Sequence, residues 1–576
     1  MDKKECIKLL EEMGMLLELK GENPFKVRAF QSAARALHSV TGDVEELIRS
    51  GNILQIKGIG KGIAAFLKEI AENGATPELE SLRKTTPSGL YQMIRIPGLG
   101  PKKARVLWEK LGIATVGELE YACRENRLLD LAGFGAKSQE KISRGIELLK
   151  KFSHQHLLPV ALNEAGQLLD AVRQMPGVIR CEIAGSLRRF KETVKDIDLV
   201  ASVENLQRDE VMTLFTTLPQ VEEVTGKGPT KSGIRLFSGI SADLRLVKEQ
   251  EFPFALHHFT GSKEHNVALR EIAREKKLKL NEYGLFSEAE KSLSCGGESD
   301  IFRQLGLQYI PPELRENMGE IEAAGRNEIP ELVKLSDLKG AIHCHSNYSD
   351  GMDSIADMAA GARERGYEYI VISDHSVSAF YARGLDEARI IAQHREIDEL
   401  NRQLNGFKIL KSIECDILEK GKLDFPDEIL SRFDLVIASI HSRFKMTESE
   451  ATDRLIKAME NPYVTILGHP TGRLLLAREG YPVNMAAVIE AAAELGVSIE
   501  INASPHRLDM DWRYLKQARD KGVKISINPD AHRAGGLDET EYGVGIARKG
   551  WLRPQDVLNC LTAGELLGFA AGRRRE

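Results

Sequence analysis

Three aspartates and a glycine-serine turn form the first group of residues in this chain whose types and spacing can do chemistry. Gly185-Ser186-Leu187-Arg188-Arg189 precedes Asp196-Ile197-Asp198, and a third acid, Asp243, lies in Ser-Ala-Asp-Leu-Arg-Leu-Val. The apolar run Val194, Ile197, Leu199 and Val200 reads as a strand, so Asp196 and Asp198, two residues apart, project from one face. Asp243 sits in a second alternating run that pairing can bring alongside. Three carboxylates suit two divalent ions, Mg²⁺ or Mn²⁺, bridging an attacking 3′-oxygen and a triphosphate. Gly185 and Ser186 fit a tight backbone approach to phosphate, and Arg189 offers a fork-shaped donor. An Asp-x-Asp by itself is more often a solvated sheet face. The upstream Gly-Ser and the third Asp favour nucleotidyl transfer.

A second group lies in the C-terminal half. Apolar runs at 341–345, 369–375, 408–414, 435–441, 464–469, 498–502 and 524–532 mostly end in a metal-ligating type, and helical patterns separate them. Parallel strands with intervening helices build a barrel whose strand ends converge on one face. His343, His345, Asp350, His375, Glu414, His441, His469, Asp530 and His532 are the candidate ligands. His343 and His345 alternate along a strand and are expected to share an ion. Mixed imidazole and carboxylate donors suit Zn²⁺, Mn²⁺ or Fe, which would activate water for phosphoester hydrolysis. Arg473 and Arg507 are candidates to steady the phosphate. His38, His154, His156, His257, His265, His394 and His506 lack partnered spacing and read as core or surface residues.

The elements that position these groups follow from the rest of the sequence. A chain of 576 residues exceeds a single core, and 42% hydrophobic with 28% charged residues excludes a disordered or fibrous class. Seven scattered cysteines without a Cys-x-x-Cys pair point to a reducing compartment, and no long apolar segment appears, so a cytoplasmic location without membrane contact is expected. The net charge of −6 is concentrated as an acidic excess in residues 316–576, whereas 1–315 is slightly basic, so DNA contact there is expected as local patches. Near the N-terminus a motif recurs as Ile56-Lys57-Gly58-Ile59-Gly60-Lys61, Ile96-Pro97-Gly98-Leu99-Gly100-Pro101 and Leu131-Ala132-Gly133-Phe134-Gly135-Ala136. Each precedes a helical pattern. Two glycines flanking an apolar residue make a hairpin whose N–H groups can hold a DNA phosphate without reading a base. Gly58, Gly60, Lys61, Gly98, Gly100 and Lys102 are the candidate contacts. The third copy, with no basic residue beside its glycines, is the weakest.

On these residues the chain from its N-terminus to about Glu316 resembles the X-family DNA polymerases. Asn23-Pro24-Phe25-Lys26-Val27-Arg28 looks like the start of the family's small N-terminal domain, which implies that Lys26 contacts DNA and that the 5′ side of a gap is gripped. His258-Phe259-Thr260-Gly261-Ser262, Asn266 and Arg270 match its nucleotide pocket. The resemblance implies that Phe259 and Gly261 lie near the sugar, Asn266 at the base edge and Arg270 toward the template. Where the family has Tyr-Phe this chain has His258-Phe259, which leaves sugar selectivity open. The lysine that forms a Schiff base in lyase-active members is replaced by Phe66, which forms no imine, so lyase activity is expected to be weak or absent. From Leu338 to Arg574 the chain resembles the polymerase-and-histidinol-phosphatase (PHP) domain, a distorted seven-stranded barrel with up to three metals. By that resemblance Glu414 bridges an ion held by His343, His345 and Asp530 and another held by His441 and His469, while Asp350, His375 and His532 hold the third.

The expected fold is multidomain: α-helical helix-hairpin-helix domains, an α+β nucleotidyltransferase palm and a C-terminal (β/α)7 distorted barrel. The boundaries are a small helical domain at 1–80, a helix-hairpin-helix subdomain at 81–152, the palm at 153–250, a nucleotide-binding subdomain at 251–316, a linker at 317–337 and the barrel at 338–576. The expected activity is filling of short gaps by a monomer acting on gapped or primer-template DNA with dNTPs. A 3′–5′ exonuclease, with abasic-site endonuclease or 3′-phosphatase action, is expected of the barrel. Two rivals are a nuclease whose polymerase half only docks DNA, and a barrel whose metals only stabilise the fold.

Overall fold

The computed structural model describes residues 3–38, 44–56, 58–94, 96, 98–129, 131–150 and 155–574. Lys57, Pro97 and His154 lie outside the described residues. The chain divides into two compact units, Met1–Leu149 and Lys150–Glu576.

The first unit is helical. Helix α1 (Lys3–Lys20) supplies Leu10, Met13 and Leu16 to one core and Leu19 to another built around Leu90, Leu99, Leu107 and Phe134. Helix α1 thus contributes to a core on each side of the boundary expected at residue 80, and both cores lie in the one compact unit.

In the second unit, five strands form the palm sheet: β1 (Val178–Ile183), β2 (Asp196–Val203), β3 (Val221–Lys227), β4 (Lys231–Leu236) and β5 (Ser241–Val247), in the order β1-β2-β5-β4-β3. Only β2 and β5 run parallel, with Asp198 opposite Asp243. Helix α2 (Phe252–Thr260) and helix α3 (Lys263–Glu275) follow, the latter capped by the Ser262 hydroxyl.

The C-terminal strands β6 (Gly340–Cys344), β7 (Tyr369–His375), β8 (Lys408–Asp416), β9 (Leu435–Ser439), β10 (Ile466–Leu467), β11 (Ser498–Asn502) and β12 (Ile525–Asn528) are all parallel and in sequence order. Every residue of β7 is buried, as expected for strands covered on both faces. A parallel bridge between Cys344 and Ala531 brings the first strand to the end of the last, leaving a nearly closed barrel.

The stretch expected to be a linker is packed instead. Ile321, Ala323, Ala324, Ile329 and Leu332 join the core of the nucleotide-binding subdomain together with Trp551 of the barrel. The palm and the barrel also share a continuous core. The polar composition of 317–337 hid this because only a few of its apolar residues face inward, while Met318 and Leu335 stay exposed.

Two candidate metal centres and a nucleotide pocket

The palm site is fixed by register. Parallel pairing of β2 with β5 sets Asp198 beside Asp243, while Asp196 lies two residues back on the same strand, at the exposed strand start. Burial, then the neighbouring charges of Asp196 and Asp243, push the Asp198 carboxyl up to about 6. Gly185 has φ 65°, and a Cβ there would stand 2.3 Å from Asp198 Oδ2. Only glycine lets the turn come this close. Gly233 of β4 plays the same part for Asp243, whose Oδ1 would lie 2.8 Å from a Cβ. Lys231, which the sequence reading missed, sets its Nζ 2.6 Å from Asp243 Oδ2. The ammonium offsets charge beside carboxylates that raise one another's cost, and carboxylates placed together by register are the donor type a divalent ion takes.

Beside it lies the His258–Arg270 segment. Asn266 Nδ2 donates to the His258 carbonyl at 2.7 Å and to that of Gly261 at 3.2 Å. Its amide thus locks the turn. A Cβ on Gly261 would meet Asn266 Oδ1 at 2.5 Å, so a larger residue there would displace the amide that locks the turn. The Arg245 guanidinium stacks over the Phe259 ring at 4.0 Å, and His258 meets that ring edge-on at 4.9 Å. Burial lowers the His258 pKa. Arg270 Nε donates to the Asn266 carbonyl one turn back. Arg189, expected to face the triphosphate, is instead buried: Nε donates to Glu316 and Nη1 to the Thr260 carbonyl at 2.7 Å. Nε and Nη1 are engaged within the protein, which leaves Gly185 and Ser186 at the turn.

In the barrel all nine expected ligands converge. His345, Asp350, His375 and His532 offer ligand atoms within 4.8 Å of one another, as do His343, His345 and Asp530, and His375, Glu414 and His441. Glu414 is the hub: Oε1 lies 3.3 Å from His343, 3.1 Å from His441 and 3.0 Å from His469, and Oε2 lies 2.9 Å from His375. Relative to the expected assignment, His345 also reaches the Asp350 group. The His343-His345 pair does not converge by strand alternation. His343 has φ 62°, the register shifts between Ala341 and Cys344, and His345 lies past the strand end. A left-handed residue turns the first imidazole into the site, backbone strain of the kind found at ligand clamps.

Burial resists charge here, yet His441, His343 and His375 hold the Glu414 carboxyl well below the usual range. Against burial, Asp350 and Glu414 raise His375 to about 10, and Glu500, Glu414 and Asp530 raise His343 well above its usual value. His343 Nε2, His345 Nδ1 and both ring nitrogens of His375 are buried without completing a hydrogen bond although carboxylates surround them. Such donors fit divalent metal.

The sequence reading missed the residues behind the ligands. Glu500 Oε2 lies 2.6 Å from His343 Nδ1, and its Oε1 accepts from the His469 N–H. Asp416 Oδ1 lies 2.6 Å from His441 Nδ1, and Asn502 donates to Asp530. Each fixes which ring nitrogen or oxygen faces inward. The visible signal was a lone Glu in the apolar strand Ser-Ile-Glu-Ile-Asn. Arg507 is buried with Nε 4.0 Å from Asp530, at the site. Arg473 is occupied by Asp511 and the Arg507 carbonyl. His265 pairs with buried Glu320, and half-buried His394 meets Phe433 edge-on.

In the first unit the three glycine motifs form one geometry. Ile59, Leu99 and Phe134 each donate to the residue three before at 3.0 Å. Gly58, Gly98 and Gly133 have positive φ, and Gly60 and Gly100 cap the helices Lys61–Asn73 and Pro101–Leu111. Nothing stands within 4 Å of a Cβ built on Gly60, Gly100 or Gly135. The third copy folds like the others. Lys26 pairs with Glu78 at the surface. Phe66 is buried, its ring edge-on to Phe30 at 5.0 Å.

Helical hairpins, a palm whose register brings acids together and a barrel that clusters metal-ligand side chains fit the class of DNA-processing metalloenzymes. Family models agree: a helix-hairpin-helix domain matches residues 1–76, a SAM-like helix-hairpin-helix tandem 91–147, the DNA polymerase beta thumb 255–316 and the PHP domain 341–504. The chain is 40% identical over 572 residues to the DNA polymerase/3′-5′ exonuclease PolX of Bacillus subtilis (strain 168), covering 99% of each. It therefore belongs to the bacterial X-family DNA polymerases that carry a C-terminal PHP domain. The barrel region is also 30% identical over 245 residues to a probable phosphatase of Thermoanaerobacter sp. (strain X514), covering 41% of this chain and 95% of that one. Among the described residues no helix is long and apolar enough to cross a membrane.

Proposed function

We propose that the protein fills short gaps in DNA by templated addition of dNTPs and removes 3′ ends through its barrel. The observation that carries the first half is the parallel register that sets Asp198 against Asp243, with Asp196 on the same strand. Mg²⁺ or Mn²⁺ held by Asp196, Asp198 and Asp243 supplies charge neutralisation at the triphosphate and the attacking oxygen when bound. The Gly185-Ser186 turn receives the phosphates. Phe259 and Gly261 bound the sugar, Asn266 presents its carbonyl edge to the base, and Arg270 points toward the template. Asp243, opposite Asp198, receives the 3′-hydroxyl proton. The first two hairpins hold the DNA backbone through Gly58, Gly60, Lys61, Gly98, Gly100 and Lys102, and Lys26 adds a basic contact. A cytoplasmic monomer fits this reading.

In the barrel, up to three ions of Zn²⁺, Mn²⁺ or Fe held by the nine ligands supply an activated water for phosphodiester hydrolysis when bound. Glu500 and Asp416 keep His343 and His441 in the tautomer that turns Nε2 inward. Arg507 neutralises the phosphate. The likeness to a probable phosphatase favours a second reading in which the same site also removes a 3′-phosphate.

A 5′-phosphorylated one-nucleotide gap, incubated in Mg²⁺ or Mn²⁺ with and without dNTPs, tests both halves. Asp196→Ala should abolish extension and spare degradation; His343→Ala should do the reverse. Degradation intact and no extension by the wild-type chain would favour a nuclease that only docks DNA. A primer blocked by 3′-phosphate reports the second reading.

A further inference from the structure

Lys549, the last residue of the barrel helix Thr540–Lys549, is fully buried although its side chain is an ammonium. Its three donors are all used: the Arg189 carbonyl at 3.0 Å, the Glu313 carbonyl at 3.3 Å and Glu316 Oε1 at 2.6 Å. The Trp512 ring lies 4.5 Å from the same Nζ. Burial lowers its pKa to about 8 against the pull of Glu316, so the fold tolerates a costly group at this point.

Its contacts reach the nucleotide pocket by two routes. Arg189 closes the Gly185–Arg189 turn, so the hydrogen bond to its carbonyl fixes the turn that passes 2.3 Å from Asp198 when measured from a Cβ on Gly185. Glu316 then links the ammonium to the Arg189 side chain, whose Nη1 holds the Thr260 carbonyl. Thr260 lies between Phe259 and Gly261. Packing reinforces the same join: Phe190 fills the space that a Cβ on Gly545 would need, at 2.0 Å.

We infer that Lys549 of the barrel is a positioning residue for the polymerase nucleotide pocket, clamping the Gly185-Ser186 turn and the Phe259-Gly261 turn together through Arg189 and Glu316. The barrel thereby completes the dNTP site without touching the nucleotide. This rests on the reading that the palm adds dNTPs. The two clamped turns bind the nucleotide and carry none of the three carboxylates, so loosening them removes binding shared by ground and transition states and should raise the nucleotide KM with little change in kcat.

The test uses the full-length protein and single-nucleotide extension on gapped DNA with dNTP varied, beside hydrolysis of a single-stranded 3′ end. Lys549→Met keeps the stem and removes the donors. Glu316→Gln breaks the link at a second residue. Both are expected to raise the dNTP KM about tenfold or more, with kcat within about threefold and 3′-end hydrolysis unchanged. If Lys549→Met unfolds, shown by loss of hydrolysis and of the thermal transition, Glu316→Gln decides. A dNTP KM within about twofold of wild type in a folded variant would overturn the inference, as would extension, hydrolysis and thermal stability all falling together in both. Absence of extension by the wild-type chain would overturn the functional reading beneath it.

Discussion

Glu500 Oε2 and His343 Nδ1 lie 2.6 Å apart, both fully buried, and this pair decides which face of the imidazole the metal site receives. With Nδ1 engaged, Nε2 is left toward Glu414 at 3.3 Å. Glu500→Gln keeps the shape but removes the charge that raises His343 basicity. Metal affinity of the barrel should fall about 10- to 100-fold, read by competition with a chromogenic chelator, while gap filling is retained.

Metal loading of the barrel should release protons. Against burial, Asp350 and Glu414 raise His375 to about 10, so in the metal-free protein it is an imidazolium at neutral pH. Coordination needs the neutral ring, so apparent affinity should strengthen as pH rises from 6 toward 9. Titration calorimetry in two buffers of different ionisation enthalpy measures the protons released. The linked stability has a definite sign. The folded pKa exceeds the unfolded value of 6.5, so His375 stabilises the metal-free barrel fully below about pH 6.5 and this is lost as pH rises through about 10.

Asp198 has the opposite balance. Its folded pKa of about 6 lies above the ordinary 3.8, raised by burial and by Asp196 and Asp243, so ionisation at neutral pH opposes folding. Asp198→Asn should stabilise the metal-free protein by up to about 3 kcal/mol at pH 7, and extension should be lost. The gain should vanish as pH falls below about 4, where both states are protonated. Chemical denaturation at the two pH values checks this.

Gly185→Ala should be among the most damaging small substitutions in the palm. The residue has φ 65°, and the new Cβ would fall 2.3 Å from Asp198 Oδ2. Strain alone costs about 1–2 kcal/mol, and the displaced carboxylate should reduce extension by at least about 100-fold, with 3′-end hydrolysis as the internal control.

Lyase activity should be weak or absent. Phe66 is buried edge-on to Phe30, a core role in place of an imine-forming lysine. Efficient borohydride trapping of the protein on abasic-site DNA would refute this.

The sequence by itself determined the parts whose chemistry is local. Asp196 and Asp198 share a strand face because side chains alternate, the three glycine hairpins repeat because a positive φ followed by an extended residue is written in Gly-x-Gly, and the barrel strands announced themselves as apolar runs ending in ligands. Tertiary structure decided what depends on distant partners. Arg189 reads as a phosphate donor until Glu316 and the Thr260 carbonyl occupy it, and residues 317–337 read as a linker until their apolar side chains meet Trp551. Glu500 shows in the sequence only as a lone acid in an apolar strand, and its partner His343 lies 157 residues away. Lys231 meets Asp243 only because the β4–β5 pairing, set by the sheet as a whole, places it there. Ligand type is a property of a residue, whereas burial, register and the partner that satisfies a buried charge belong to the packed chain.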